Sequence, residues 1–135
     1  MKTESEESNS KRFSAALSVG LGSGFGGIAR FSLETALSPL FDTPFPFAIL
    51  LVNVLGSFAI GIFAAITRLN LVGQYFLIAG FCGGFTTFSM FSLQTVDLVE
   101  AGNLTAAFGN IFATVCGGIL AAWLGTGIGS IRNKS

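Results

Sequence analysis

Histidine is absent from this sequence, and with it go most routes to metal and acid–base chemistry. Without an imidazole there is no His general base, no His-bearing zinc set and no c-type haem attachment. Only two cysteines occur, Cys82 and Cys116, in separate apolar segments, where both read as small buried side chains rather than a disulfide. Charge is scarce as well. Charged residues make up 10% of the 135 positions, against about 25% in a typical soluble domain. The 7 basic and 7 acidic residues cancel, so the chain lacks the basic surface that a nucleic-acid partner requires. It shows no nucleophile–base pair and no phosphate-binding loop, which argues against an enzyme.

What fills the space is apolar: 51% hydrophobic residues, including 15 phenylalanines. Four stretches with little or no charge run about 13–37, 45–66, 74–96 and 104–128. At about 1.5 Å per residue each is long enough for a hydrocarbon core of about 30 Å. Pro, Asn and Gly in the connectors supply helix stops. The reading is an all-α membrane protein with a single four-helix transmembrane domain over 13–131. Residues 1–12, rich in Ser, Glu and Lys, are expected to form a disordered polar tail, and 132–135 a short C-terminal tail. The first apolar stretch has no small-residue cleavage site ahead of a soluble domain, and three more stretches follow it. It therefore reads as a span and not a signal peptide.

Lys2, Lys11, Arg12, Arg68, Arg132 and Lys134 fall on one side of this arrangement, while the opposite loops hold Asp42, Asp97 and Glu100. Basic loops stay in the cytoplasm, so both termini are expected there, in a multi-pass protein of the plasma or inner membrane. Small residues at four-residue spacing offer close helix packing: Gly20 with Gly24, Gly22 with Gly26, and Gly117 through Ala121 and Gly125 to Gly129. Four short spans enclose little volume, so a pore or carrier of this size calls for a second subunit.

One segment is unlike the rest. The run from Gly80 to Ser92 holds three glycines, four hydroxyl residues and four phenylalanines inside an uncharged stretch. Glycine lets backbone leave helical geometry, and non-helical backbone at membrane depth survives only where protein or water covers it. The third helix is thus expected to be broken in mid-membrane, at a site. Phe85, Phe88 and Phe91 recur every three residues, with Thr86, Thr87, Ser89 and Ser92 around them. Their rings form an apolar face, or present positive edges to a small desolvated anion with hydroxyl and amide donors completing its shell. Asn53, mid-way along the second span, is either an interhelical anchor or a donor on a polar pathway. The same two readings apply to Asn110 and Thr114, four apart in the fourth span. Arg30 and Glu34 share a helix face and can pair. They form either an interfacial ion pair or a cationic mouth for an anion path.

The sequence Gly80-Phe-Cys-Gly-Gly-Phe-Thr-Thr-Phe-Ser-Met-Phe-Ser92 resembles the signature of the Fluc-type (CrcB) fluoride channels. Supporting matches are Gly26-Gly-Ile-Ala-Arg30-Phe31 and Asn53-Val-Leu-Gly-Ser-Phe58, and the resemblance extends from about Leu17 to Leu124. It implies a dual-topology, antiparallel dimer of four-helix subunits with two pores that passively export cytoplasmic fluoride. It places Phe88, Phe91, Asn53, Ser89, Thr87 and Thr114 along a fluoride pore and Arg30 in its vestibule. It further implies a structural sodium ion, as Na+, held by the backbone carbonyls of Gly83 and Thr86. Met90 stands where the family usually has Thr, and Gly118 where a polar track would end in Ser. The one-sided charge also departs from the balanced loops of members that insert both ways. The second subunit is therefore another copy or an oppositely oriented paralogue. Two other classes fit less well. A small multidrug-type transporter needs a membrane carboxylate, for which Glu34 is the candidate, with Arg30 one turn away. A non-conducting accessory subunit has no use for the Thr/Ser/Phe track.

Overall fold

The polypeptide is helical through nearly all of its described length, and the reason is the long apolar periods separated by strong stop signals. The computed structural model describes residues 4–66 and 69–132, so that Lys2, Arg68 and Lys134 of the charge pattern lie outside the described residues. Helix α1 spans Glu4–Leu37 and ends in a 3-10 turn, Ser38–Leu40, at Pro39. Helix α2 spans Phe47–Ala65. The third segment is composite. Helix α3 (Leu71–Gln74) widens into a π-helix (Tyr75–Cys82), tightens into the short turn α4 (Gly83–Phe85), and resumes after two extended residues as α5 (Phe88–Glu100). Helix α6 spans Leu104–Arg132.

Within the polar N-terminal stretch, residues 4–12 are the first turns of α1. Glu6 falls in the first turn, where the helix dipole favours negative charge. Lys11 and Arg12 are good helix formers, and the first glycine is Gly20. The segments Phe47–Ala65, Leu71–Glu100 and Leu104–Ile131 are long and apolar enough to cross a membrane. Helix α1 has the length but not the apolarity, because its glycines, its serines and the Arg30–Glu34 pair dilute it.

The turns are chemically specified. Gly102 adopts φ +73° after α5. Asn103 N–H donates to Leu98 C=O at 2.9 Å and Gly102 N–H to Val99 C=O at 2.9 Å, the pair of bonds that closes a Schellman cap. Asn103 then caps α6 by accepting from Ala106 N–H at 3.1 Å. Asn70 does the same for α3, accepting from Gly73 N–H at 2.8 Å.

Two helix pairings make the bundle: α2 runs along α6, and α1 runs along the π-helix and α4. Both rest on backbone-to-backbone contact. A methyl group on Gly22 or Gly26 would land on the carbonyls of Phe76 or Phe81, and one on Gly125 would land on that of Phe58. Side chains there would force the helices apart. Gly20 and Gly24 behave differently, since a Cβ on either meets nothing within 4 Å. At one end Lys11 shares a recess with Leu71 and Tyr75. At the other end Glu34, Asp97 and the loop from Phe41 to Phe47 line a cavity of about 420 Å³.

Candidate ion pathway

The interruption between α4 and α5 is built from hydroxyls. Thr86 closes α4 by donating both its N–H, at 3.0 Å, and its Oγ1–H, at 2.9 Å, to Cys82 C=O. Its own ψ of 154° then carries the chain out of the helix, and Thr87 (φ −145°, ψ 112°) continues extended. Thr87 restarts the helix as its N-cap, with Oγ1 accepting from Met90 N–H at 3.2 Å. The gap is covered by α2. Asn53 Oδ1 accepts from Thr87 N–H at 2.8 Å, and Asn53 Nδ2–H donates to Thr87 C=O at 3.2 Å. One turn later Gly56 leaves room for the Thr86 methyl and the Phe85 ring, both of which a Cβ would strike.

These bonds re-route two amides. In a continuous helix the Gly83 carbonyl accepts from Thr87 N–H and the Thr86 carbonyl from Met90 N–H. Here those N–H groups go to Asn53 Oδ1 and Thr87 Oγ1. Gly83 and Thr86 are therefore relieved of their helical donors. Carbonyl oxygens of unwound helix are ligands for a hard monovalent cation such as sodium. The chemistry of the pair fits one. Among the described residues no cluster of acidic, Cys or His side chains offers a competing metal site.

A cavity of about 330 Å³ opens on the interruption, and Asn53, Gly83, Thr86, Thr87, Phe88, Phe91 and Thr114 all line it. Residues 61 positions apart in sequence, Asn53 and Thr114, thus face one space. The N-terminus of α5 starts at this wall, and its positive end favours anions. Phe88 and Phe91 stand with ring centroids 5.6 Å apart and planes tilted by 51°. Gly56, Ser57, Ile60, Cys82 and Val115 complete the lining.

Ser89 and Arg30 are not among the lining residues. Ser89 turns to Thr87, their hydroxyl oxygens 3.1 Å apart. Arg30 Nη1 donates to Glu34 Oε2 at 3.3 Å, and Glu34 lines the other cavity. Asn110 is 1% exposed and donates from Nδ2 to Thr95 Oγ1 at 2.9 Å, which ties α6 to α5. Of its two readings the anchor is the one observed. Thr114 Oγ1 lies 3.5 Å from Asn110 Oδ1. Ser57, part of the Asn53–Phe58 motif, lies one turn from Asn53. It donates to the Asn53 carbonyl at 2.7 Å, and its Oγ is 3.3 Å from where a Cβ on Gly118 would stand. Cys82 is buried as expected, Cys116 is half-buried, and both are free thiols.

Comparison with known proteins agrees with the sequence motifs. Residues 17–126 match the family described as CrcB-like protein, Camphor Resistance (CrcB). The chain is 37% identical over 128 residues to the fluoride-specific ion channel FluC of Opitutus terrae, covering 87% of this chain and 97% of that protein. It is 42% identical over 122 residues to the FluC of Paramagnetospirillum magneticum, covering 86% of this chain and 95% of that one. With the FluC of Methylocella silvestris the identity is 43% over 111 residues, covering 78% and 85%. Each of these relatives is an ion channel by name. With its helical bundle, its spans of membrane length and these matches along most of its length, the chain belongs to the CrcB family.

Proposed function

We propose that this protein is a fluoride-selective channel that lets cytoplasmic fluoride leave the cell passively, down its electrochemical gradient. The observation that carries the reading is the shared wall of Asn53, Thr87, Thr114, Phe88 and Phe91 around one cavity. A fluoride ion entering it gives up water. In exchange it meets the second Nδ2–H of Asn53, the hydroxyl of Thr114, phenylalanine ring edges and the positive end of α5. Ser89 supports the wall through Thr87, and Arg30 raises anion concentration at the mouth. No covalent step is involved, and no proton needs to be carried.

The functional unit is an antiparallel dimer with α1 as the fourth span, and the helix interruption sits at mid-membrane depth. Phe88, 79% exposed in the single chain, is covered by the second subunit, either another copy or an oppositely oriented paralogue. Both termini face the cytoplasm in a chain obeying its Lys/Arg bias. Gly83 and Thr86 would hold a sodium ion through their carbonyls, where its charge would offset the partial negative charge of those carbonyl oxygens.

The test is fluoride efflux from liposomes that contain only this chain, with Phe88→Ile and Phe91→Ile as controls. Fast efflux without chloride leak, lost in both variants, supports a self-sufficient channel. Folded protein that passes no fluoride, alone or with its paralogue, overturns the reading.

A further inference from the structure

Asn53 makes more contact with protein backbone than a pore donor needs. Both ends of its amide are bonded to one residue, Thr87, at 2.8 and 3.2 Å. The side chain is 8% exposed. Its own carbonyl is held by Ser57 at 2.7 Å, and Gly56 seats Thr86 one turn further along α2. The whole Asn53-to-Ser57 face is thus shaped to the two extended residues. The Thr87 N–H that Asn53 captures is the one that would otherwise bond the Gly83 carbonyl.

We infer that Asn53 is a positioning residue for the cation: by taking the Thr87 N–H it keeps the Gly83 carbonyl free to bind sodium, without touching the ion. The inference rests on the reading of Gly83 and Thr86 as sodium ligands and adds what controls them. In an extended segment a stray N–H returns to the nearest carbonyl unless something else accepts it, because a buried unpaired amide is costly. Asn53 Oδ1 is that acceptor. When it is removed, residues 86–87 either fray or close the turn onto Gly83. Either outcome removes an oxygen from the cation. Fluoride coordination and cation binding are then linked through one side chain, which presents its second Nδ2–H to the cavity.

The experiment uses the full chain in lipid nanodiscs and reads two quantities besides flux. Hydrogen exchange is followed in the peptide covering residues 84–91. Thermal stability is measured against sodium concentration, with N-methylglucamine as the replacement cation. For Asn53→Ala, amide exchange at Thr87 is expected to rise about fivefold to tenfold, as on losing one ordinary hydrogen bond. The sodium concentration for half-maximal stabilisation is expected to rise about tenfold or more. Gly56→Ala removes no polar group but pushes Thr86 off its seat, and is expected to move both readouts the same way. It carries the test if Asn53→Ala does not fold. Wild-type exchange and sodium dependence in Asn53→Ala, or in Gly56→Ala when it stands in, overturn the inference even if fluoride flux is lost. A wild-type protein that sodium does not stabilise overturns it as well. Failure of the channel reading is separate, because it appears as absent fluoride flux in a wild type that sodium still stabilises.

Discussion

Phe88 and Phe91 touch one cavity from adjacent positions on α5, yet Phe91 is 8% exposed and Phe88 is 79% exposed. Phe91 is held by its own subunit. Phe88 projects from the single chain, on the side where the proposed second subunit would cover it.

Substitution should separate them. Phe91→Ala is expected to cost about 3 kcal/mol of subunit stability, the ordinary penalty for a buried ring. Phe88→Ala should cost well under about 1 kcal/mol in the isolated subunit but weaken dimerisation. Denaturant titration in detergent, paired with a subunit-exchange assay, reads both effects. Equal destabilisation of the single subunit would contradict the assignment.

The glycines divide in the same way. Gly26→Ala sets a methyl on the Phe81 carbonyl and is expected to lower expression and stability by about 2 kcal/mol or more. Gly24→Ala meets open space in the subunit, and should stabilise α1 by up to about 1 kcal/mol through helix propensity. If the Gly20–Gly24 face meets the second subunit, Gly24→Ala also raises the dimer dissociation constant. Thermal melts and cross-linking on the same samples distinguish the two.

Arg30 and Glu34 form a half-buried pair at 3.3 Å. Glu34→Gln leaves the Arg30 charge uncompensated near the cavity that Glu34 lines and is expected to speed fluoride flux at low ionic strength. Arg30→Gln should slow it. Both effects should shrink as salt rises past about 0.15 M, where charges more than about 8 Å apart are screened. A double-mutant cycle on stability should give a coupling of about 1 kcal/mol or less, as expected for a pair with solvent access.

Asn110 and Thr114, neighbours on α6, should also part company. Asn110→Leu breaks the bond to Thr95 and should cost about 1 to 2 kcal/mol of stability while flux stays within about threefold. Thr114→Val, which takes a hydroxyl from the cavity wall, should reduce flux about tenfold for one lost coordinating bond with little change in stability. Reversal of this pattern would make Asn110 the pathway residue.

Helix boundaries were largely legible because their chemistry is local. Pro39, Pro46, Asn70, Gly102 and Asn103 each act within a turn of where they stand. Composition at the N-terminus speaks for solubility and says little about helicity, and α1 is polar at its start and apolar further on. Residue types at the candidate site were legible too, since Thr, Ser and Gly among phenylalanines conflict with a plain lipid-facing helix. Partners were not. Sequence spacing could not say whether Asn53 faced a neighbour or a cavity, and the structure has it bonding Thr87 and lining the cavity together. Nor could it show that Ser57 would stand against Gly118, a meeting of α2 with α6 that depends on how closely Gly61 and Gly125 let those helices approach.

The π-helix from Tyr75 to Cys82 lies upstream of every cavity residue on the third segment except Cys82, its own last residue. A wider helix advances by fewer degrees per residue than the about 100° of an ordinary one, so its length sets the compass bearing of everything that follows. If those eight residues rewound as ordinary α-helix, Thr86 to Phe91 would turn about the axis of their own segment with no change in their own sequence. The bearing of the phenylalanine rings is therefore stored in a stretch that contributes only Cys82 to the cavity wall. An insertion or deletion of a single residue there should be as damaging as replacing the rings themselves.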